Sequence, residues 1–262
     1  MEKQLKADGG ILFYDHYNEK AENAVVLIHG FGLDADMWQD QIPVLEKYRV
    51  ICIDVRGHGR SRPFNEFSVV LTADDIKKIL HEEKCETAAL IGLSMGGYVV
   101  QEFARLFPDI TSGIMVADST PMFISYPKWE TISLKLSKSI LRLYPWGYLK
   151  NVMAKQTSVK TDVRQKLITM FGKLSKEEFI NSWSGIANVL HEENFDPNVT
   201  FYAVYGDKDK SGTIKLHAKD WPKHYPACKV FEISSAGHVS NMDNPDGFNR
   251  VMLEFLSAAF SR

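Results

Sequence analysis

The chain has 262 residues, 45% of them hydrophobic, and a formal net charge of -2. That length allows one large α/β domain or two small ones with a sizeable core. The near-neutral balance gives no reason to expect a nucleic-acid or membrane-surface partner. The stretch Met1-Glu2-Lys3-Gln4-Leu5-Lys6 lacks the apolar run of a signal peptide, and no apolar run reaches the length of a membrane span. Cys52, Cys85 and Cys228 are scattered, odd in number and without CxxC spacing. Reduced core thiols in a cytoplasmic protein are therefore expected.

Ile11 to His16 predicts an early strand, and Ala24 to Ile28 (A-V-V-L-I) a short buried one. The loop His29-Gly30-Phe31-Gly32 follows. Met37 to Tyr48 carries apolar residues at helical spacing. Val50 to Val55 predicts another strand, which runs into the turn Arg56-Gly57-His58-Gly59-Arg60-Ser61. Val69 to Glu82 predicts a helix with Leu71, Ile76, Ile79 and Leu80 on one stripe. The apolar run Ala88 to Leu93 predicts a buried strand. It stops at Gly92-Leu93-Ser94-Met95-Gly96, and a helix from Tyr98 to Phe107 begins at once, closed by Pro108. Gly113 to Ala117 predicts one more strand.

The alternation breaks after Pro121. Residues 122–195 show helical periodicity, no convincing strand, and the aromatics Phe123, Tyr126, Trp129, Trp146, Phe171 and Trp183. The α/β pattern then resumes with a strand at Thr200 to Tyr205, a helix around Thr213 to Tyr225, a strand at Lys229 to Ile233 and a helix at Pro245 to Phe260. Strands alternating with helices imply an α/β fold with a mostly parallel central sheet flanked by helices. Residues 1–121 and 196–262 are expected to form the core domain, and 122–195 a helical lid over the carboxyl ends of the strands, where ligands bind such sheets.

The strand, turn and helix around Ser94 form a nucleophile elbow. Glycines two residues either side leave room for a strained backbone, and the helix points its positive end at the serine. A serine hydroxyl needs a base, and the base needs an orienting acid. His238, in Ser234-Ser235-Ala236-Gly237-His238, follows a strand and small residues that suit a crowded site. Asp207 and Asp209 both follow the strand at 200–205, and spacing alone does not choose between them. Asp118, at the end of the strand before the lid, is a further candidate acid. The oxyanion hole needs two N–H donors. Met95 directly after the serine would supply one, and Phe31 between Gly30 and Gly32 the other. His217 and His224 share a helical face, but no further ligands complete a metal site. Neither G-x-x-x-x-G-K-[ST] nor a strand-to-helix G-x-G-x-x-G is present, so no cofactor and no metal are expected.

Taken in order, His29-Gly30-Phe31-Gly32, Trp38, Asp54-Val55-Arg56-Gly57-His58-Gly59-Arg60-Ser61, Gly92-Leu93-Ser94-Met95-Gly96-Gly97, Gly206-Asp207-Lys208-Asp209, and Gly237-His238 with Asp243-Asn244-Pro245 resemble the landmarks of the α/β-hydrolase superfamily. The resemblance covers essentially the whole chain. It is nearest to lidded esterases, enol-lactonases and cofactor-free haloperoxidase-like or perhydrolase-like proteins. It implies the α/β-hydrolase fold, the triad order Ser, acid, His, and an acid three residues after the glycine that closes its strand, which is Asp209. Lys210-Ser211-Gly212 departs from the short apolar segment and proline that often follow that acid in the family. A serine at the elbow argues against epoxide hydrolases and haloalkane dehalogenases, which resemble this layout but place an aspartate there. The activity the resemblance implies is acyl transfer to water, the hydrolysis of a carboxylic ester, lactone or thioester through an acyl-enzyme; it does not give the substrate, and the Trp, Phe, Leu and Met content of residues 122–195 is what points to a small, apolar one. Two alternatives share the fold. One is a small-molecule receptor or signalling protein, against which the turn Arg56-Gly57-His58-Gly59 argues. The other is a carbon–carbon bond hydrolase or perhydrolase-like enzyme that uses the same triad.

Overall fold

The computed structural model describes residues 1–64, 66–124, 137–186 and 197–261. Among these, the strands are β1 (Glu2–Ala7), β2 (Gly10–Tyr17), β3 (Ala24–Ile28), β4 (Arg49–Asp54), β5 (Ala88–Leu93), β6 (Thr111–Ala117), β7 (Thr200–Gly206) and β8 (Lys229–Ile233). They form one sheet in the order β1-β2-β4-β3-β5-β6-β7-β8. The pairs β1–β2 and β2–β4 are antiparallel, and all others are parallel. The longer helices are α1 (Val69–Glu82), α2 (Met95–Leu106), α3 (Trp146–Thr157), α4 (Thr161–Gly172), α5 (Lys176–Ile186) and α6 (Pro245–Ala259). With helical residues 137–143, α3 to α5 form an insertion between β6 and β7. This is an α/β hydrolase fold. No helix among the described residues is long and apolar enough to cross a membrane.

Both faces of the sheet are covered, which is why β3 and β5 are apolar at every position and buried throughout. Successive side chains point to opposite faces. Val25, Leu27, Ala89, Ile91 and Met115 meet Phe248 and Phe255 of α6 on one side. Val26, Ile28, Leu90, Ile114 and Val116 meet Ile76 of α1 and Val99 and Phe103 of α2 on the other. Local signals start the helices. Ser68 caps α1 by accepting from the Leu71 N–H at 3.1 Å, and Asn244 caps α6 by accepting from the Gly247 N–H at 3.0 Å, ahead of Pro245 in its first turn.

Three elements differ from the sequence expectation. β1 was not expected; its residues Glu-Lys-Gln-Leu-Lys-Ala alternate in exposure along the sheet edge, and polar side chains outnumber apolar ones. The stretch Met37 to Tyr48 is not one helix but two short 3-10 segments, Ala35–Trp38 and Ile42–Leu45. Pro43 cannot donate a backbone N–H, and the buried Gln41 amide is spent on Asn241 and Asn249 near the far end of the chain. The stretch 213–225 likewise splits into Ile214–His217, Ala218–Asp220 and Trp221–His224, with Pro222 inside it. Tyr126 and Trp129 lie outside the described residues.

The turn from β5 into α2 requires close backbone contact. A Cβ on Gly92 would lie 2.0 Å from the Gly96 carbonyl oxygen, and one on Gly96 would lie 2.3 Å from the Ile28 carbonyl oxygen on β3. Neither neighbour can swing away, since both are backbone. Gly96→Ala should therefore destabilise the fold by about 3 kcal/mol, the upper part of the range for overpacking. Urea unfolding measures it, and a loss below about 1 kcal/mol would contradict the packing described.

Candidate active site

Ser94 occupies the tip of that turn with φ 54° and ψ -113°, in the left-handed region that side-chain-bearing residues rarely adopt. Its N–H donates to the Ala117 carbonyl of β6 at 2.8 Å, and its carbonyl accepts from the Gly97 N–H at 2.8 Å. The strained residue is thus tied to the sheet on one side and to the helix on the other.

The Ser94 hydroxyl lies 2.8 Å from Nε2 of His238, and Nδ1 of His238 lies 3.0 Å from Oδ2 of Asp209. A carboxylate can only accept, so Nδ1 carries the proton and Nε2 accepts from the serine. Asp209 Oδ1 accepts from the Ser211 N–H at 2.7 Å, which fixes the carboxylate plane. Burial opposes charge on Asp209, but the facing imidazole and the Ser211 N–H outweigh it and hold this carboxyl below its usual range. Burial likewise opposes a charged His238, but the Asp209 carboxylate, with Asp118 farther off, holds its pKa above the usual histidine value.

The other two candidate acids are engaged elsewhere. Asp207 Oδ1 accepts from the Ala236 N–H at 3.0 Å, and its Oδ2 pairs with Lys208 at 2.9 Å. Asp118 is fully buried, and its oxygens accept from the backbone of Gly206 and from Ser240.

The loop after β3 is held by His29. The Val55 N–H donates to its Nε2 at 2.9 Å, so Nδ1 bears the proton and donates to the Gly30 carbonyl at 2.8 Å. Burial keeps this imidazole below its usual pKa. Phe31 follows, with its ring centroid 5.4 Å from that of His58, 4.9 Å from Phe179 and 5.4 Å from Trp183. Phe31 and Met95 border the same cavity as Ser94. Met95 is the first residue of α2, so its N–H has no acceptor one turn earlier in the helix.

The cavity measures about 460 Å³. Ser94 and His238 lie in its wall, with Leu33 and Leu93 from the sheet side and Met153, Phe171, Phe179 and Trp183 from the insertion. Trp146 backs this wall, its ring centroid 5.0 Å from Phe179 and its indole N–H donating to the Leu174 carbonyl at 3.1 Å. Trp38 is wholly buried against Phe248 and belongs to the core. His217 pairs with Asp220 and His224 stacks on Phe123, so these two histidines do not converge. Among the described residues no three His, Cys, Asp or Glu side chains are grouped to hold a metal ion.

Several positioning contacts were invisible to pattern reading. The His238 N–H donates to the Thr157 carbonyl at the end of α3, 2.8 Å away. Buried Asp243 accepts from the Gly237 N–H at 2.7 Å, the Ser158 hydroxyl at 2.5 Å and the Val159 N–H at 3.1 Å. The insertion is thereby stitched to the His238 loop. The Asp243-Asn244-Pro245 landmark was the available signal, but it did not name a partner 85 residues away.

Comparison with known proteins agrees with this architecture. A model of the alpha/beta hydrolase family matches residues 25–251. The pimeloyl-[acyl-carrier protein] methyl ester esterase of Yersinia enterocolitica is 24% identical over 242 residues, covering 88% of this chain and 92% of its own. The 3-oxoadipate enol-lactonase 1 of Acinetobacter baylyi is 24% identical over 243 residues, covering 90% and 89%. Among solved structures, a thermophilic esterase from Thermogutta terrifontis superposes with a TM-score of 0.82 at 22% identity, over 100% of both chains. From the elbow, the sheet order and the family match over most of its length, the chain belongs to the α/β hydrolase family.

Proposed function

We propose that the protein is a serine hydrolase that cleaves a carboxylic ester, including lactones and thioesters, of a small and largely apolar substrate through an acyl-enzyme. The observation that carries this is the hydrogen-bonded line Ser94–His238–Asp209, which opens into a mostly apolar cavity of about 460 Å³. Ser94 Oγ attacks the carbonyl carbon while His238 Nε2 takes the hydroxyl proton. Asp209 holds the imidazole tautomer and stabilises the imidazolium. The N–H groups of Phe31 and Met95 bind the oxyanion, which the positive end of α2 also favours. His238 then protonates the leaving group; it next takes a proton from water as that water attacks the acyl carbonyl, and returns the proton to Ser94 Oγ as the acyl group leaves as the acid. The two relatives named above carry an ester and an enol-lactone in their names, and both fit acyl transfer to water.

In this reading residues 1–121 and 196–262 supply the chemistry, and 122–195 act as a lid that shapes the acyl pocket. Val152, Met153, Phe171, Phe179 and Trp183 support that role, since they border the cavity yet take no part in the hydrogen-bonded line. The test is a screen of p-nitrophenyl esters of increasing chain length, lactones and acyl-CoA thioesters, run beside Ser94→Ala. Turnover of one class by the parent and its loss in Ser94→Ala supports the reading; turnover that survives the substitution refutes it.

Asp209→Asn should lower kcat by about 10⁴-fold, the loss expected when the wrong imidazole tautomer is trapped. Asp207→Asn should stay within about threefold of the parent, since its carboxylate is tied to Ala236 and Lys208. The reverse ranking would refute the assignment. The parent's kcat/KM should rise with pH through the His238 pKa, because only the neutral imidazole accepts the serine proton. That limb should lie above the ordinary histidine value, given the direction of the His238 shift.

Trp183→Ala should enlarge the acyl pocket and move the preference toward longer chains. Each methylene contact is worth on the order of 1 kcal/mol, so the ratio of long- to short-chain kcat/KM should rise about thirtyfold over two methylenes. An unchanged chain-length profile in a folded Trp183→Ala protein would show that this residue does not limit the pocket.

A further inference from the structure

Asp118 is a wholly buried carboxyl group beside the site that the mechanism above does not use. It follows β6 directly, with φ 47°, and its N–H donates to the Val204 carbonyl of β7 at 2.8 Å. Oδ1 accepts from the Gly206 N–H at 2.8 Å. Oδ2 accepts from the Ser240 N–H at 3.0 Å and from the Ser240 hydroxyl at 2.5 Å.

These partners are not arbitrary. Gly206 closes β7, and its carbonyl accepts the Asp209 N–H at 3.1 Å. Ser240 lies two residues beyond His238 and opens the short helix Ser240–Asp243. One carboxyl group therefore spans the two loops that carry the acid and the base. Both of its oxygens are occupied, so it does not compete with Asp209 for the His238 ring. A carboxylate is also the group this position requires. An asparagine would turn its NH₂ toward the Gly206 N–H in one flip and toward the Ser240 N–H in the other.

Burying a carboxylate is costly. Burial first, and the nearby Asp209 charge second, push the Asp118 carboxyl up to about 7, while His238 and the Ser240 donors pull the other way. The titratable groups facing Asp118 are Asp209 from the loop after β7 and His238 from the loop after β8. His238 in turn faces two carboxyl groups, Asp209 in contact and Asp118 farther off. When the reaction places a proton on His238, both would stabilise it.

We propose that Asp118 is a positioning residue for the reaction: it holds the Asp209 and His238 loops in register and sets a second negative charge near the imidazole. This rests on the reading of Ser94, His238 and Asp209 as the hydrolytic triad. The test combines steady-state kinetics on a p-nitrophenyl ester with an NMR titration of the His238 imidazole in the free protein. In folded Asp118→Asn, kcat should fall about tenfold or more with KM little changed. The His238 midpoint should move down by about half a pH unit, because a charge near it is gone. Ser240→Ala removes a donor that favours the ionised Asp118 carboxyl, so its His238 midpoint should move in the same direction and by less than in Asp118→Asn. An unshifted His238 midpoint in Asp118→Asn overturns the proposal and leaves Asp118 as a structural clip.

Should Asp118→Asn fail to fold, the parent carries the test. With ¹³C-labelled aspartate, the His238 curve should show a second inflection at the Asp118 midpoint, as coupled groups do. A single-step His238 curve would overturn the proposal. The imidazole titration needs no substrate. A protein that turns over no ester, lactone or thioester therefore refutes the hydrolase reading while leaving the charge argument separately readable.

Discussion

The close approach of α2 to the carboxyl ends of β3 and β5 is the constraint on which the site depends. The first turn of the helix touches the Ile28 carbonyl through Gly96 and the end of β5 through Gly92. Between these two contacts Ser94 adopts a left-handed conformation. Strain of this kind costs on the order of 1–3 kcal/mol and persists only where the surroundings over-determine it. Here the sheet does so, through two buried strands and the Ser94–Ala117 backbone bond. The strain lifts the hydroxyl clear of the sheet, toward His238 and the cavity.

Around this elbow buried carboxylates pin several of the loops. Asp54 accepts from the Ala35 N–H at 2.8 Å, the Arg60 N–H at 2.9 Å and the Arg60 side chain at 2.6 Å, and so ties the turn after β4 to the segment after the β3 loop. Asp243 joins the His238 loop to the insertion, and Asp118 joins it to the loop after β7. Each carboxylate gathers N–H groups that a short irregular loop would otherwise leave unpaired. Arg56 and Asp75 form a further buried pair with two contacts of 2.7 Å, which anchors the turn after β4 to α1. Such pairs cost desolvation and repay it in geometry.

Much of this was legible in the sequence, for identifiable reasons. Ala24-Val25-Val26-Leu27-Ile28 and the run into Ser94 lie in the middle of a doubly covered sheet, so their composition alone marks them. The helix stripes of α1 and α6 are clear because one face packs and the other does not. What escaped depends on partners distant in the chain. β1 is a polar edge strand held by its pairing with β2. The 3-10 segments near Met37 take their shape from Gln41 bonding to Asn241 and Asn249. The same limit applied at the site. Spacing placed Ser94 and His238 on suitable loops but left Asp207 and Asp209 equal, and a family offset favoured Asp209. The separation is three-dimensional: Asp207 turns back to Ala236, while Asp209 turns toward His238.

The proposed mechanism requires Ser94 to become covalently acylated. Quenched-flow mixing with a p-nitrophenyl ester, followed by mass spectrometry of the digested protein, tests this most directly. A burst of p-nitrophenol near one equivalent per chain is expected, with the acyl mass on the peptide that contains Ser94. Turnover without that adduct, or an adduct on another residue that persists in Ser94→Ala, would contradict it.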